Sequence, residues 1–181
     1  PTGGFLGYNT PKWLTNVFVR VLEGGAVIDT DTNNISIVLP LLSGAASDGG
    51  LVKRGVGVLT LANTNTYDGR TLVEAGTLKL NVSNTLWTGG SLWVASNAVF
   101  DVNGKSQTLA ELAGSGTVIN NGQLSVTAGV APGTTNMIGT LTLASSPAAL
   151  GGDFRVDVAA DGACDRLHVQ GDLDLTGLNV A

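Results

Sequence analysis

Cysteine and histidine each occur once in this chain of 181 residues, as Cys164 and His168. A single cysteine allows no disulfide within the chain. A single histidine excludes any catalytic or metal arrangement that needs two imidazoles from one chain. Charge is also scarce: 13% of residues are charged, with 9 Lys and Arg against 14 Asp and Glu, a net charge of -5. Lys53-Arg54 is an isolated basic pair, so nothing offsets that balance, and a nucleic-acid backbone is not an expected partner. No run of about 18 apolar residues exists to form a membrane helix. Pro1 opens a glycine-containing segment without the basic start and apolar run of a signal peptide. Aromatics are few, and no stretch reads as a helix of ordinary length.

What the chain has is glycine and aliphatic side chains: 26 Gly and 43% hydrophobic residues. That apolar fraction with so little charge argues against disorder and for a turn-rich β fold. One phrase recurs: Gly, any residue, then two aliphatics separated by one position. It reads Gly57-Val58-Leu59-Thr60-Leu61, Gly76-Thr77-Leu78-Lys79-Leu80, Gly122-Gln123-Leu124-Ser125-Val126 and Gly139-Thr140-Leu141-Thr142-Leu143. Looser copies start at Gly90, Gly152 and Gly171. Each is a turn residue followed by a short strand with alternating side chains. The copies recur at roughly 13 to 19 residues, with one gap of about 32 that hides a further copy. A turn-plus-strand unit cannot bury its apolar side alone, so the period argues for a stack of coils.

Strands are expected at Val17–Leu22, Ala26–Asp29, Ile35–Leu39, Leu51–Lys53, Val58–Ala62, Thr71–Glu74 and Thr77–Leu80. Further strands follow at Leu92–Val94, Val99–Val102, Leu109–Leu112, Thr117–Ile119, Leu124–Val126, Thr140–Leu143, Phe154–Val158, Arg166–Val169 and from Leu173 onward. Residues 1–23 are the least regular and are expected to cap the stack. Residues 24–181 are expected to form a single solenoid domain. An antiparallel sandwich or barrel is the rival architecture. Repeat spacing near one coil of about 18 to 24 residues favours parallel stacking.

The residues with side chains suited to chemistry are few. His168 lies in an alternating strand, where it faces outward opposite Leu167 and Val169. Cys164 precedes Asp165 in a turn, and no orienting pattern makes Cys164 and His168 a nucleophile and base. Asp153, Asp157, Asp161, Asp165, Asp172 and Asp174 gather late in the chain, but without the ligand spacing of a calcium loop. No carboxylate pair suited to cleaving a polysaccharide can be defined among them. No catalytic residue, cofactor or metal ligand is therefore assigned. Trp87 and Trp93, close in sequence, form a candidate contact patch for a sugar or a protein.

Residues 49–80 resemble the autotransporter-associated β-strand repeat, also called the passenger-associated transport repeat. The matching positions are Gly50, Leu51, Lys53, Gly55, Gly57, Leu59, Thr60, Leu61, Asn65, Tyr67, Gly69, Val73, Gly76, Leu78 and Leu80. The lead-in from Gly24 to Thr30, with Asn34-Ile35 and Pro40-Leu41, is similar to the segment that often precedes such a repeat. Leu112 to Gly116, Ala131-Pro132-Gly133, Ile138 to Leu141 and Cys164 to Gly171 follow the usual order of such tails. The resemblance implies an all-β, right-handed parallel β-helix on an exported bacterial surface protein. It implies a non-enzymatic structural module that extends, displays or self-assembles end to end, with adhesion to host glycan or protein as the alternative and a polysaccharide-cleaving enzyme as a third reading. The implied partners are the remainder of a longer surface protein or further copies, met through the solenoid ends, and no membrane insertion by this segment is expected.

Overall fold

The computed structural model describes residues 18–133, 137–145 and 148–180, and among these it contains strands and turns but no helix. In chain order the first strands are β1 (Val19–Val21), β2 (Ala26–Asp29), β3 (Ile35–Ile37), β4 (Leu41–Ser43), β5 (Leu51–Arg54), β6 (Val58–Leu61), β7 (Thr71–Val73), β8 (Thr77–Leu80) and β9 (Ser91–Val94). They continue as β10 (Val99–Asp101), β11 (Ser106–Gly114), β12 (Thr117–Ile119), β13 (Gln123–Pro132), β14 (Thr140–Ala144), β15 (Ala148–Phe154), β16 (Arg166–Gln170) and β17 (Leu173–Val180).

Every pairing between these strands is parallel. One sheet runs β3-β6-β8-β10-β12-β14-β16, and a second runs β2-β5-β7-β9-β11-β13-β15-β17. The chain alternates between them, so each coil lays one strand on each sheet, in a β-solenoid of about seven turns. This is the expected all-β parallel solenoid, and the sandwich alternative is ruled out by strand direction.

A third side closes each coil. It begins as the pair β1-β4, with Val19 in register with Leu41. Over residues 63–66 and 83–86 it has no strand, and side chains there reinforce a few backbone hydrogen bonds between coils. Asn65 accepts from the Leu41 amide at 2.8 Å through Oδ1 and donates to the Thr85 carbonyl at 2.8 Å through Nδ2. Gln107 holds the next coil in the same way, accepting from the Leu86 amide and donating to its carbonyl. From β11 on, the long strands supply the third side themselves. β11 and β15 turn the corner through register shifts, between Leu109 and Glu111 and between Ala149 and Gly151.

The interior is a set of side-chain columns. Ile35, Leu59, Leu78, Phe100, Val118, Leu143 and Val169 lie in register down one sheet. Leu59, Leu78, Phe100, Val118 and Leu143 are fully buried, and their burial is the main source of stability. The glycine phrase marks strand entry on either sheet. Copies at Gly57, Gly76 and Gly139 open β6, β8 and β14, whereas those at Gly90, Gly122 and Gly171 precede β9, β13 and β17. Its interval therefore falls short of a coil wherever consecutive copies sit on different sheets. The hidden copy is Gly116-Thr117-Val118-Ile119-Asn120, which opens β12 with buried Asn120 at the second inward position.

Of the expected capping segment 1–23, residues 1–17 lie outside the described residues, as do Phe5, Tyr8 and Trp13. From Val19 the chain already pairs as β1.

Candidate functional site

The densest sequence signature, Lys53 to Gly69, is spent inside the stack. Lys53 points inward between Ile28 and Val73, its register neighbours, and is fully buried. Its Nζ donates to the carbonyls of Arg54 at 2.8 Å, Gly55 at 2.7 Å and Ala75 at 3.0 Å, so it ties one coil to the next. Burial pulls its pKa down to about 8, partly countered by the Asp29 carboxylate. Tyr67 is buried with its hydroxyl 2.8 Å from Thr71 Oγ1, and burial pushes that phenol further up from its ordinary value, so it stays neutral. Asp48 accepts from the amides of Gly50, Gly69 and Asp68 at 2.8–2.9 Å. Burial alone would raise its pKa, but those amides and the Ser43 hydroxyl stabilise the carboxylate and hold it below its usual range. None of these groups is available to a ligand.

The outer face of the second sheet differs. Coil length changes abruptly along it: Glu111 is in register with Gly129, and Gly129 with Asp153, so the coil that starts at Gly129 is the longer of the two. The added residues lie where the chain leaves this sheet. Between β11 and β12 stand only Ser115 and Gly116, while residues 133–139 separate β13 from β14 and residues 155–165 separate β15 from β16. Gly133 from the first of these connections and Arg155, Asp157 and Asp165 from the second line one side of a cleft of about 500 Å³.

Its floor is flat because Ala113 and Ala131 are in register and Gly129 has no side chain. The missing Cβ matters at Gly129, where one would stand 3.0 Å from the Asp153 carbonyl oxygen and 3.3 Å from Arg155 Nη2. Over that gap Arg155 reaches across β13 to Glu111 Oε1 at 3.4 Å, a span of 44 residues in sequence. Glu111 Oε2 accepts from the Ser91 hydroxyl at 3.2 Å. Trp93, half-buried, lines this cleft and also a second concavity on its other side, formed with Met137, Ile138, Ala163 and Cys164.

Asp165 braces that side of the cleft. Its Oδ1 accepts from the Gly139 amide at 2.7 Å and its Oδ2 from the Asp157 amide at 2.8 Å, which joins the two connections. Asp165→Ala strands both amides next to a buried side chain. The expected cost is about 1–3 kcal/mol by chemical denaturation, with Asp165→Asn recovering part of it.

The structure does not bring the two candidate tryptophans together around one cavity. Trp93 sits in the cleft, while Trp87 is exposed at a corner and packs over its own loop at Gly89 and Gly90, lining neither concavity. His168 lies exposed on β16 with its ring 3.4 Å from Gln170 Nε2, and Cys164 is half-buried in the second concavity. Among the described residues no group of three His, Cys, Asp or Glu side chains is placed to hold a metal ion. The Glu111–Arg155 bridge is beyond sequence reading, because it depends on a two-coil stack over one glycine.

The family described as the passenger-associated-transport-repeat matches residues 51–80. The chain carries a passenger-associated transport repeat. Over 98 residues, 54% of the chain, it is 36% identical to a protein of Brucella suis biovar 1 named adhesin BmaC autotransporter. The match spans only 3% of that relative's length. No solved structure matches. A passenger repeat of this kind is one part of a longer autotransporter protein, and autotransporter adhesin passenger domains are exported to the cell surface.

Proposed function

We propose that this segment is a rigid, non-enzymatic spacer within an exported passenger, extending and displaying neighbouring parts at the bacterial surface. The observation that carries this reading is the fate of the repeat's signature: Lys53 and Asn65 bind coil to coil, Tyr67 is buried in the interior, and Gly50 and Gly69 donate to Asp48 just ahead of the repeat. A sequence pattern spent on stacking specifies reach and stiffness rather than chemistry. The last coil supports continuation. Leu167, Val169, Leu173 and Leu178 are only partly buried, so another rung would complete their columns. Either the next coil of the same chain or a second copy would fit there, and the small share of the relative that this chain spans favours the former.

About seven turns at roughly 4.8 Å per rung make a rod of about 34 Å. Deleting the segment in frame from the parent passenger is expected to shorten the projecting fibre by that amount in electron micrographs. An unchanged fibre length, with the passenger still exported, removes the spacer reading.

Adhesion is a second reading. It is favoured by the relative's name and by the cleft at Trp93, since a pure spacer requires no such recess on its face.

A further inference from the structure

We propose that the cleft beside Trp93 binds a neutral oligosaccharide chain. This rests on the adhesive reading and names its ligand class. The cleft's volume of about 500 Å³ lies within the range of small-molecule sites, roughly 300–1,000 Å³. Its two walls offer different chemistry. On one side an indole stands beside a floor of Ala113 and Ala131, so an apolar ring face can lie against it without meeting anything larger than a methyl on that floor. On the other side Glu111 and Arg155 form a long, half-exposed pair, with side-chain exposures of 42% and 57%. A carboxylate and a guanidinium side by side present two acceptors and a fork of donors, which match vicinal hydroxyls. A pyranose has this division: a C–H face for the indole and a rim of hydroxyls for the polar pair.

Other ligand classes fit less well. The chain's net charge of -5, and a cleft in which Glu111, Asp157 and Asp165 outnumber Arg70 and Arg155, work against sulfated or sialylated glycans. A peptide joining by strand addition needs an unpaired sheet edge. The cleft instead lies across β9, β11 and β13, which are flanked by partners on both sides.

The test uses the whole chain and three uncharged probes, the hexasaccharides of glucose, galactose and N-acetylglucosamine, followed by calorimetry and tryptophan fluorescence. Saturable binding of at least one is expected, weakened about tenfold or more in Trp93→Ala and unchanged in Trp87→Ala. Ala131→Arg, which fills the floor and leaves the indole in place, is expected to abolish binding with an unchanged melting curve, so a folding defect in Trp93→Ala would not decide the matter. The proposal is overturned if no probe binds, if binding survives both cleft variants, or if only sulfated or sialylated chains bind. Beads coated with the chain test adhesion separately. Adherence to host cells that persists in Trp93→Ala overturns the saccharide site and leaves adhesion standing. Hexasaccharide binding without cell adherence supports the site and removes the adhesive reading.

Discussion

Gly50→Ala is expected to cost roughly 3–5 kcal/mol and to lower the melting temperature by about 10 °C. Two penalties add at this position. Gly50 has φ +72°, where an L side chain carries its own strain, and a Cβ there would stand 2.1 Å from the Arg70 carbonyl oxygen of the next coil. The obstacle is backbone and has no rotamer by which to move aside. Relief would require lifting one coil off the next at a corner where Asp48 already binds the amides of Gly50 and Gly69. Gly104→Ala separates the two penalties. Gly104 has nearly the same φ, +69°, but the nearest atom to its Cβ would be Asn121 O at 4.0 Å. Strain alone predicts about 1–2 kcal/mol there. Equal losses in the two variants, measured by thermal and urea unfolding, would show that coil-to-coil contact at Gly50 carries no weight.

That contrast marks what the sequence can and cannot tell. Local alternation places β2 at Ala26–Asp29, β8 at Thr77–Leu80 and β12 at Thr117–Ile119 with the expected bounds, because each is a short run with one buried face. The error at β15 has a definite cause. Gly152 reads as the turn residue of a repeat copy, and the expected strand begins at Phe154, yet β15 runs Ala148–Phe154 through Gly151 and Gly152. Gly152 passes so close to the Ala128 carbonyl that no side chain fits, so what resembles a break is a contact between coils. β4, at Leu41–Ser43, is absent from the expected strands because so short a run after a proline carries no readable period.

The site is less legible than the fold. The side chain of Trp93 singles it out, but closeness in sequence alone suggests Trp87 as its partner. In a solenoid, closeness follows the register instead. Trp93 is in register with Leu72 on the coil before it and Ala113 on the coil after it, and its cleft is closed by connections from later coils still. The signal that exists is the change in coil length after Val130. It becomes visible only when strands are assigned to sheets, since the glycine phrase does not distinguish one sheet from the other.

Lys53→Met is expected to destabilise the chain by about 2–4 kcal/mol at pH 7. Methionine fills a similar volume between Ile28 and Val73 and is apolar, so transfer energy alone favours the substitution. Against it stand three hydrogen bonds from one ammonium to the carbonyls of Arg54, Gly55 and Ala75, each charge-assisted. Arg54 O keeps the Thr30 amide and hydroxyl as donors, but the Gly55 and Ala75 oxygens lose the ammonium and gain no water in its place, so the polar loss outweighs the apolar gain. The pH dependence distinguishes this from simple misfit. Burial lowers the Lys53 pKa to about 8, against 10.5 for the ordinary side chain. Between those values the unfolded chain binds more proton than the folded one, so the wild type gains stability from this group as pH rises through that window. The neutral amine keeps two N–H donors for the same carbonyls. The gap between wild type and Lys53→Met should therefore widen from pH 7 to pH 10 in urea titrations. A gap that stays flat would mean the lysine is paired as strongly in the folded state as water pairs it in the unfolded one, and a gap that closes would mean the charge, rather than its burial, holds the coils together.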